Sequence, residues 1–518
     1  MQNTNDNLWT SGFFNERFPA PISPLGWSLI GPLIEELALR DPLRFLGYPD
    51  ADKIPLTRLW RGHPYANALA FHIFYKVFPD FILPEDANRY FPNGDVGLRK
   101  RAPYPRWIDA PRFVFSLFRT FFSDPFNVSP LNNYRHWARY TRKHDRRIAA
   151  IRARLNELAN AESQTIFAAL REVENLHRDL LRIHRWSLMD ADLTFGLLKR
   201  LVGSDDAAYL VADVPNKTME VDAALRQMTN DKLQMTKFLE DHGHRSFSLD
   251  IAVPTFADDP SQVTRLLQSM TADHGPQTAN PAVGSQRSAV FRAVAALARH
   301  YVALREDQRY YWQKALALSR HLYLLLADRL VADGVMANRN LVFYATHEEL
   351  ANYFEQRLPK DELAQSIATR QAEWLVYQHE FEQSPTESYP AFLTADSYTL
   401  STQTTTQSLT PNNQWRGRAV SPGIARGVAR LVQAANGLSR VQHGEILVAP
   451  STDPAWTPVF ARISGLVVER GGVLSHSAVI AREYHVPAVA GIPGILDKIK
   501  DGDVIEVDGS RGVVSAIR

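Results

Sequence analysis

The chain has 518 residues, and at roughly 100–200 residues per domain its length allows about three domains. Apolar residues make up 45% and charged residues 22%, an ordinary globular composition that excludes a fibrous or largely disordered chain. Lys+Arg is 58 against Asp+Glu 56, a formal charge of +2, which speaks against a dedicated binder of nucleic acid or membrane surface. There are no cysteines, so disulfides, thiolate metal sites and a cysteine nucleophile are all excluded.

The start of the chain is polar and without a basic residue where a secretory signal would carry a basic segment. No run of about 18 apolar residues occurs to suggest a transmembrane helix. A cytoplasmic location is therefore expected.

The first 128 residues are rich in proline and aromatics, with short extended segments such as Arg58–Arg61 and Pro64–Asn67. Irregular structure and a few strands are expected there. Beyond them the pattern is helical. Ile148, Ile151, Leu155 and Leu158 recur at spacings that put them on one helical face. Stretches 161–202, 286–334 and 361–382 behave likewise. The basic run 135–147 reads as a solvated helix face. His242 and His244 have the spacing of metal ligands but no evident third ligand, and they read as hydrogen-bonding residues of a turn.

Residues 401–414 hold one apolar residue and no charge. Such a segment buries too little surface to pack and reads as a tether, with a flexible linker expected over 393–414. After it the composition changes. Of 26 glycines, 13 fall in 415–518. Short β-like runs at Glu445–Ala449, Gly465–Val468 and Val504–Asp508 lie between turns, with one helix expected from Ser475 to about Tyr484.

The segment from Glu469 to Tyr484 carries the chemistry. A strand ends at Gly471 and Gly472, and a helix opens with Ser475 and His476. A helix N-terminus offers unpaired N–H groups and partial positive charge, both of which favour phosphate. Glycine lets the backbone approach an anion, and Ser475 can cap the helix or donate to a phosphate oxygen. A neutral imidazole there can act as a nucleophile toward phosphorus. The bland alternative is a histidine that merely opens a capped helix.

These residues resemble the swivelling phosphohistidine domain of the dikinase family, which includes pyruvate phosphate dikinase, phosphoenolpyruvate synthase and the rifampicin phosphotransferases. The likeness rests on Gly471-Gly472, Ser475-His476, Ala478, Ala481-Arg482-Glu483 and Pro487 to Gly491. Flanking matches lie at Val420 to Gly427, Ser451 to Pro458 and Asp508 to Gly512. The resemblance implies that His476 is the phosphorylated residue, with Gly471, Gly472, Ser475 and Arg482 holding phosphate.

Upstream, Glu16 with Phe18 to Trp27, His242 to Ser246, and Arg305-Glu306 followed by Arg309 resemble the acceptor-binding domain of the rifampicin-phosphotransferase type. By that likeness Glu16, Ser23, His244 and Arg245 bind substrate, while Arg305, Glu306 and Arg309 serve catalysis. Arg305 and Arg309, at i and i+4, share a helical face suited to a phosphate, and Glu306 is a candidate base. No metal site is implied.

The expected architecture is multidomain: a large, mainly α-helical acceptor-binding region over 1–392, the linker over 393–414, and a C-terminal α/β swivelling domain over 415–518. The family's nucleotide-binding ATP-grasp domain has no counterpart in the sequence. ATP, with magnesium by family likeness, is therefore expected to be supplied through a separate ATP-grasp partner, with no cofactor bound permanently. The implied function is a phosphotransferase component that carries phosphate on His476 to a hydroxyl or carboxyl of a small organic acceptor, either as the final product or as a species activated for elimination or condensation. The alternative is a catalytically silent ligand-binding or scaffold protein. Neither nucleic acid nor membrane is an expected partner.

Overall fold

A computed structural model describes residues 8–76 except 16, 19 and 49; 87 and 90–102; 111, 114–115 and 118–119; 130–203; 207 and 210–211; 214–228; 232–269; 289–383; 389–394; and 414–517 except 434, 453, 473 and 474. The chain forms two compact units. One comprises Met1–Ser187, Ser248–Val253 and Tyr311–Ser401; the other Leu188–Phe247, Pro254–Tyr310 and Thr402–Arg518. The second unit thus joins the C-terminal module to parts of the helical region, a division other than the expected one into 1–392 and 415–518. Of the expected linker, 395–413 lie outside the described residues, and the ends Leu393–Thr394 and Gln414 belong to strands.

The first unit is mainly helical with a small antiparallel sheet. Its strands are β1 (Leu8–Thr10), β2 (Thr57–Trp60), β3 (His63–Asn67) and β4 (Phe392–Thr394), in the order β2-β3-β1-β4. The extended segments expected at 58–61 and 64–67 form the β2–β3 hairpin. The irregular structure expected before residue 128 is in part wrong. Pro24–Leu33, Ile34–Arg40 and Asp41–Phe45 make a continuous helical stretch with a π-helical middle. It starts there because Ser23 caps it and Pro24 takes the first position, where no N–H is needed.

Further on, helix Pro130–Ala153 is followed, after a break at Arg154, by helix Leu155–Asn160. Ile148, Ile151 and Leu158 are buried as their spacing requires. In the run 135–147, Trp137, Tyr140 and His144 turn inward while Arg135, Arg139, Arg142, Lys143 and Arg146 face solvent, so the run is a solvated face. Helices Ser163–Val202, Ala289–Ala332 and Lys360–Gln383 occupy the stretches whose periodicity predicts them. Among the described residues no helix is long and apolar enough to cross a membrane.

The second unit contains an eight-stranded sheet: β5 (Gln414–Arg416), β6 (Arg418–Ser421), β7 (Ile424–Leu431), β8 (Ile446–Ala449), β9 (Gly465–Val468), β10 (Ala488–Ala490), β11 (Val504–Asp508) and β12 (Val513–Ala516). The order is β5-β12-β11-β7-β8-β9-β10-β6, with β7 through β10 parallel. The parallel centre is buried on both faces, as its continuous apolar runs demand. Alternation along β8 sends Leu447 and Ala449 to one core and Ile446 and Val448 to another. The first of these cores takes Ala478, Ile480 and Ala481 of helix His476–Glu483. The helix is thereby fixed on the sheet with its N-terminus at the end of the loop that follows β9.

Candidate functional site

The loop after β9 turns on Gly471, whose φ of +137° is open to glycine and strained for other residues. A side chain at that position would also meet Ser475 Oγ at 3.1 Å. Ser475 is the N-cap: its Oγ donates to Gly472 O at 2.8 Å, accepts from Ala478 N at 3.3 Å, and lies 2.9 Å from Ser477 Oγ. The cap fixes where helix His476–Glu483 begins, and so places the His476 imidazole.

That imidazole does not face open solvent. Its Nδ1 lies 3.1 Å from Glu306 Oε2, and the two side chains are 7% and 8% exposed. Glu306 stands on helix Ala289–Ala332, and its Oε2 also accepts from Thr218 Oγ1 at 3.1 Å. Burial by itself pushes the Glu306 carboxyl up. The His476 imidazole first, then Arg309 and Arg305, outweigh that and hold it down at about 2. A carboxylate so held only accepts hydrogen bonds, so Nδ1–H is the donor in this pair. Thr457 Oγ1 lies 3.5 Å from Nε2, at the outer limit of a hydrogen bond.

Helix Lys217–Gln227 supports the same carboxylate. Asn216 caps it, accepting from the Thr218 and Met219 N–H groups, and Asp307 Oδ1 accepts from Lys217 N at 2.8 Å. Burial pushes the Asp307 carboxyl up to about 6 against the opposing pull of that N–H. Adjacent acids on one helix are thus shifted in opposite directions. Glu306 is a fixed anion beside an imidazole and two guanidinium groups, whereas Asp307 is an acid that titrates near neutrality.

The structure brings together four of the residues singled out from sequence: His476, Glu306, Arg305 and Arg309, the arginines half-buried and acting electrostatically on Glu306. Gly471, Gly472 and Ser475 build the turn that leads into His476. Arg482 is different. It is 5% exposed, and its Nη1 donates to Val420 O at 2.8 Å. Six residues into the helix, it is about 9 Å of axial rise from the N-terminus it was expected to serve. In this conformation its guanidinium is tied to the strand that holds Val420.

Of the expected substrate-binding residues, Glu16 lies outside the described residues. Ser23 belongs to the first unit and is 1% exposed. Its Oγ donates to Asp250 Oδ1 at 2.6 Å and accepts from Gly26 N at 3.1 Å, so it acts as a helix cap. His244 and Arg245 both pack on Tyr310, the His244 ring edge-on at 4.6 Å and the Arg245 guanidinium 5.9 Å from the ring centre. Arg245 shares a cleft with Thr218, Asp222, Thr457 and Pro458, whose apolar walls are Val221, Leu225, Phe256 and Leu266.

Sequence reasoning passed over Thr218, Asp222, Thr457 and Tyr484. Thr457 lies inside a quoted family match, and Tyr484 ends the expected helix, so both were in view. Thr218 and Asp222 carry no local signal, because their partners are 88 and 262 positions away.

Two segments of the chain match known protein domains. Residues 441–512 match the mobile domain of PEP-utilising enzymes, and residues 231–325 match the fourth domain of rifampicin phosphotransferase. The first match includes His476 and the second Glu306. The C-terminal module is therefore a mobile domain of the PEP-utilising type. Two segments of the chain thus resemble domains of PEP-utilising enzymes and of rifampicin phosphotransferase.

A rifampicin phosphotransferase from Bacillus subtilis is 33% identical over 231 residues, 45% of this chain and 25% of that protein. One from Streptomyces sviceus is 33% identical over 219 residues, 42% of this chain and 24% of that protein. The chondramide synthase of Chondromyces crocatus is 30% identical over 316 residues, 55% of this chain and 8% of that protein. The chain thus spans about a quarter or less of the length of these relatives.

Proposed function

We propose that this chain is a phosphotransferase component in which His476 carries a phosphoryl group from ATP, bound with magnesium on a separate ATP-grasp partner in the cytoplasm, to a hydroxyl or carboxyl of a small organic acceptor. The phosphorylated species is then either the product or an intermediate activated for elimination or condensation. The observation that carries this reading is the 3.1 Å approach of His476 Nδ1 to a Glu306 carboxylate flanked by Arg305 and Arg309.

Glu306 holds the proton on Nδ1, which leaves Nε2 as the atom that takes up phosphorus. On delivery the Nε2–P bond breaks as the acceptor O–P bond forms, the ring departs as the neutral Nδ1–H tautomer, and the proton of a hydroxyl acceptor passes to water, a carboxylate acceptor having none to lose. Glu306, kept ionised, stabilises that protonated ring and makes Nε2 a better leaving group. The candidate role of Glu306 as base toward the acceptor gives way to this one, because a carboxyl held at about 2 is a weak base. Arg305 and Arg309 neutralise charge on the phosphoryl group in flight, the main demand of such transfers.

The reading is tested with radiolabelled ATP and lone ATP-grasp proteins. An acid-labile, base-stable label on the chain that His476→Ala abolishes supports it. Arg305→Ala should keep the label and slow its delivery. A chain that stays unlabelled with every such partner overturns the proposal.

A further inference from the structure

Within the second unit, the helix that opens with His476 is held at both ends by helix Lys217–Gln227 and its neighbours. At the N-terminal end, His476 meets Glu306, and Glu306 accepts from Thr218. At the C-terminal end, Tyr484, the C-cap residue, donates its hydroxyl to Asp222 Oδ2. Thr218 and Asp222 are four positions apart and so lie on one face of their helix, a turn apart. His476 and Tyr484 are about 12 Å apart along theirs. One contact alone would leave the C-terminal module free to pivot about it, whereas two contacts 12 Å apart set its direction.

We propose that the Tyr484–Asp222 hydrogen bond is a docking latch, and that both residues are positioning residues that set the register in which His476 reaches Glu306. The proposal rests on the reading of His476 as a carrier. Three features support it. The Tyr484 ring packs against Phe460 and the core that holds helix His476–Glu483, so its hydroxyl moves with the imidazole as one body. Asp222 is 5% exposed in this arrangement, where the Tyr484 hydroxyl donates to its Oδ2 out of contact with solvent. The cleft near Nε2 takes Asp222 and Thr218 from one side and Thr457 and Pro458 from the other, so its walls are complete when the latch is made.

The chain has no cysteine, so Glu240→Cys and Ile424→Cys in the full chain give two unique and exposed spin-label sites, one on each side of the latch. Electron–electron distance measurement on this pair should give one narrow distribution. Tyr484→Phe, which keeps the ring, should add a second population, with the docked-to-undocked ratio reduced about tenfold or more, as loss of a hydrogen bond to a charged acceptor implies. Asp222→Ala should do the same, and the double variant should shift the ratio no further than either single change. If Asp222→Ala fails to fold, Tyr484→Phe decides alone.

An unchanged distribution in Tyr484→Phe overturns the latch. So does a lowered unfolding temperature with the distance intact, because that would make the bond merely structural. The distances are read without nucleotide or acceptor. Failure of His476 to take up phosphate would therefore sink the carrier reading and leave the latch, whereas an unchanged distance would do the reverse.

Discussion

Glu306 and His476 are 170 positions apart in the chain, yet Oε2 and Nδ1 meet at 3.1 Å with both side chains almost out of solvent. The pair joins the two matched segments of the chain at the level of single atoms. It also orients the ring, because an ionised carboxylate accepts only from a ring N–H.

That contact has a pH signature. Burial raises the Glu306 carboxyl, but His476 and the two arginines bring its folded value to about 2, below the ordinary 4.5. A carboxyl lowered on folding contributes stability that is complete above its unfolded value and is lost as pH falls through the folded one. Unfolding temperatures of the parent chain should therefore fall between pH 4.5 and 2. In Glu306→Gln that part of the slope should vanish. If carried phosphate is being delivered, the same variant should slow delivery about a hundredfold while leaving His476 as the labelled residue.

Asp307 should behave in the opposite way. Burial lifts its carboxyl from 3.8 to about 6, so the folded chain binds more protons than the unfolded chain in that interval and stability falls as pH rises through it. Asp307→Asn should remove this loss. At pH 7 it should be neutral or stabilising by on the order of 2 kcal/mol, offset by a weaker bond to Lys217 N. Denaturant titrations at pH 4 and pH 7 measure the difference.

Ser23→Ala separates a cap from a substrate ligand. It removes the cap of helix Pro24–Leu33 and one donor to Asp250, a carboxyl that burial already pushes up. The expected cost is about 2–3 kcal/mol in the stability of the first unit, read from denaturant midpoints. A stable variant with weakened acceptor use would restore the substrate-binding role.

Gly471→Ala tests the turn that delivers His476. With φ at +137° and Ser475 Oγ 3.1 Å from the new methyl group, the change should cost about 1–3 kcal/mol and displace the cap. Phosphate labelling of His476 should drop more than the loss of folded protein explains, which circular dichroism and labelling on the same sample would show.

Much of the architecture was legible because it is written locally. Periods of 3.6 residues mark the helices at 163–202 and 289–332, and glycine-bounded apolar runs mark β8, β9 and β11. The helical stretch Pro24–Phe45 was missed because its prolines and aromatics hide a capped start behind breaker residues. Gly471, Ser475 and His476 were legible as one turn because a helix N-terminus is itself a local motif. Arg482 and Ser23 misled for one shared reason. The same polar groups that bind ligands also satisfy buried backbone and carboxylate partners, and only the path of the chain shows that Val420 O and Asp250 claim them.

From residue types and spacing alone follows the kind of chemistry: an imidazole on a capped helix, with arginines a turn apart on another. Which atoms meet was settled by folding. The path of the chain put Glu306 on Nδ1, Thr457 near Nε2 and Asp222 under Tyr484, across separations of 170, 19 and 262 positions. Helix periodicity and capping act within a few residues and can be read from order. Contacts over such separations depend on how whole elements pack, and no short stretch of sequence encodes that.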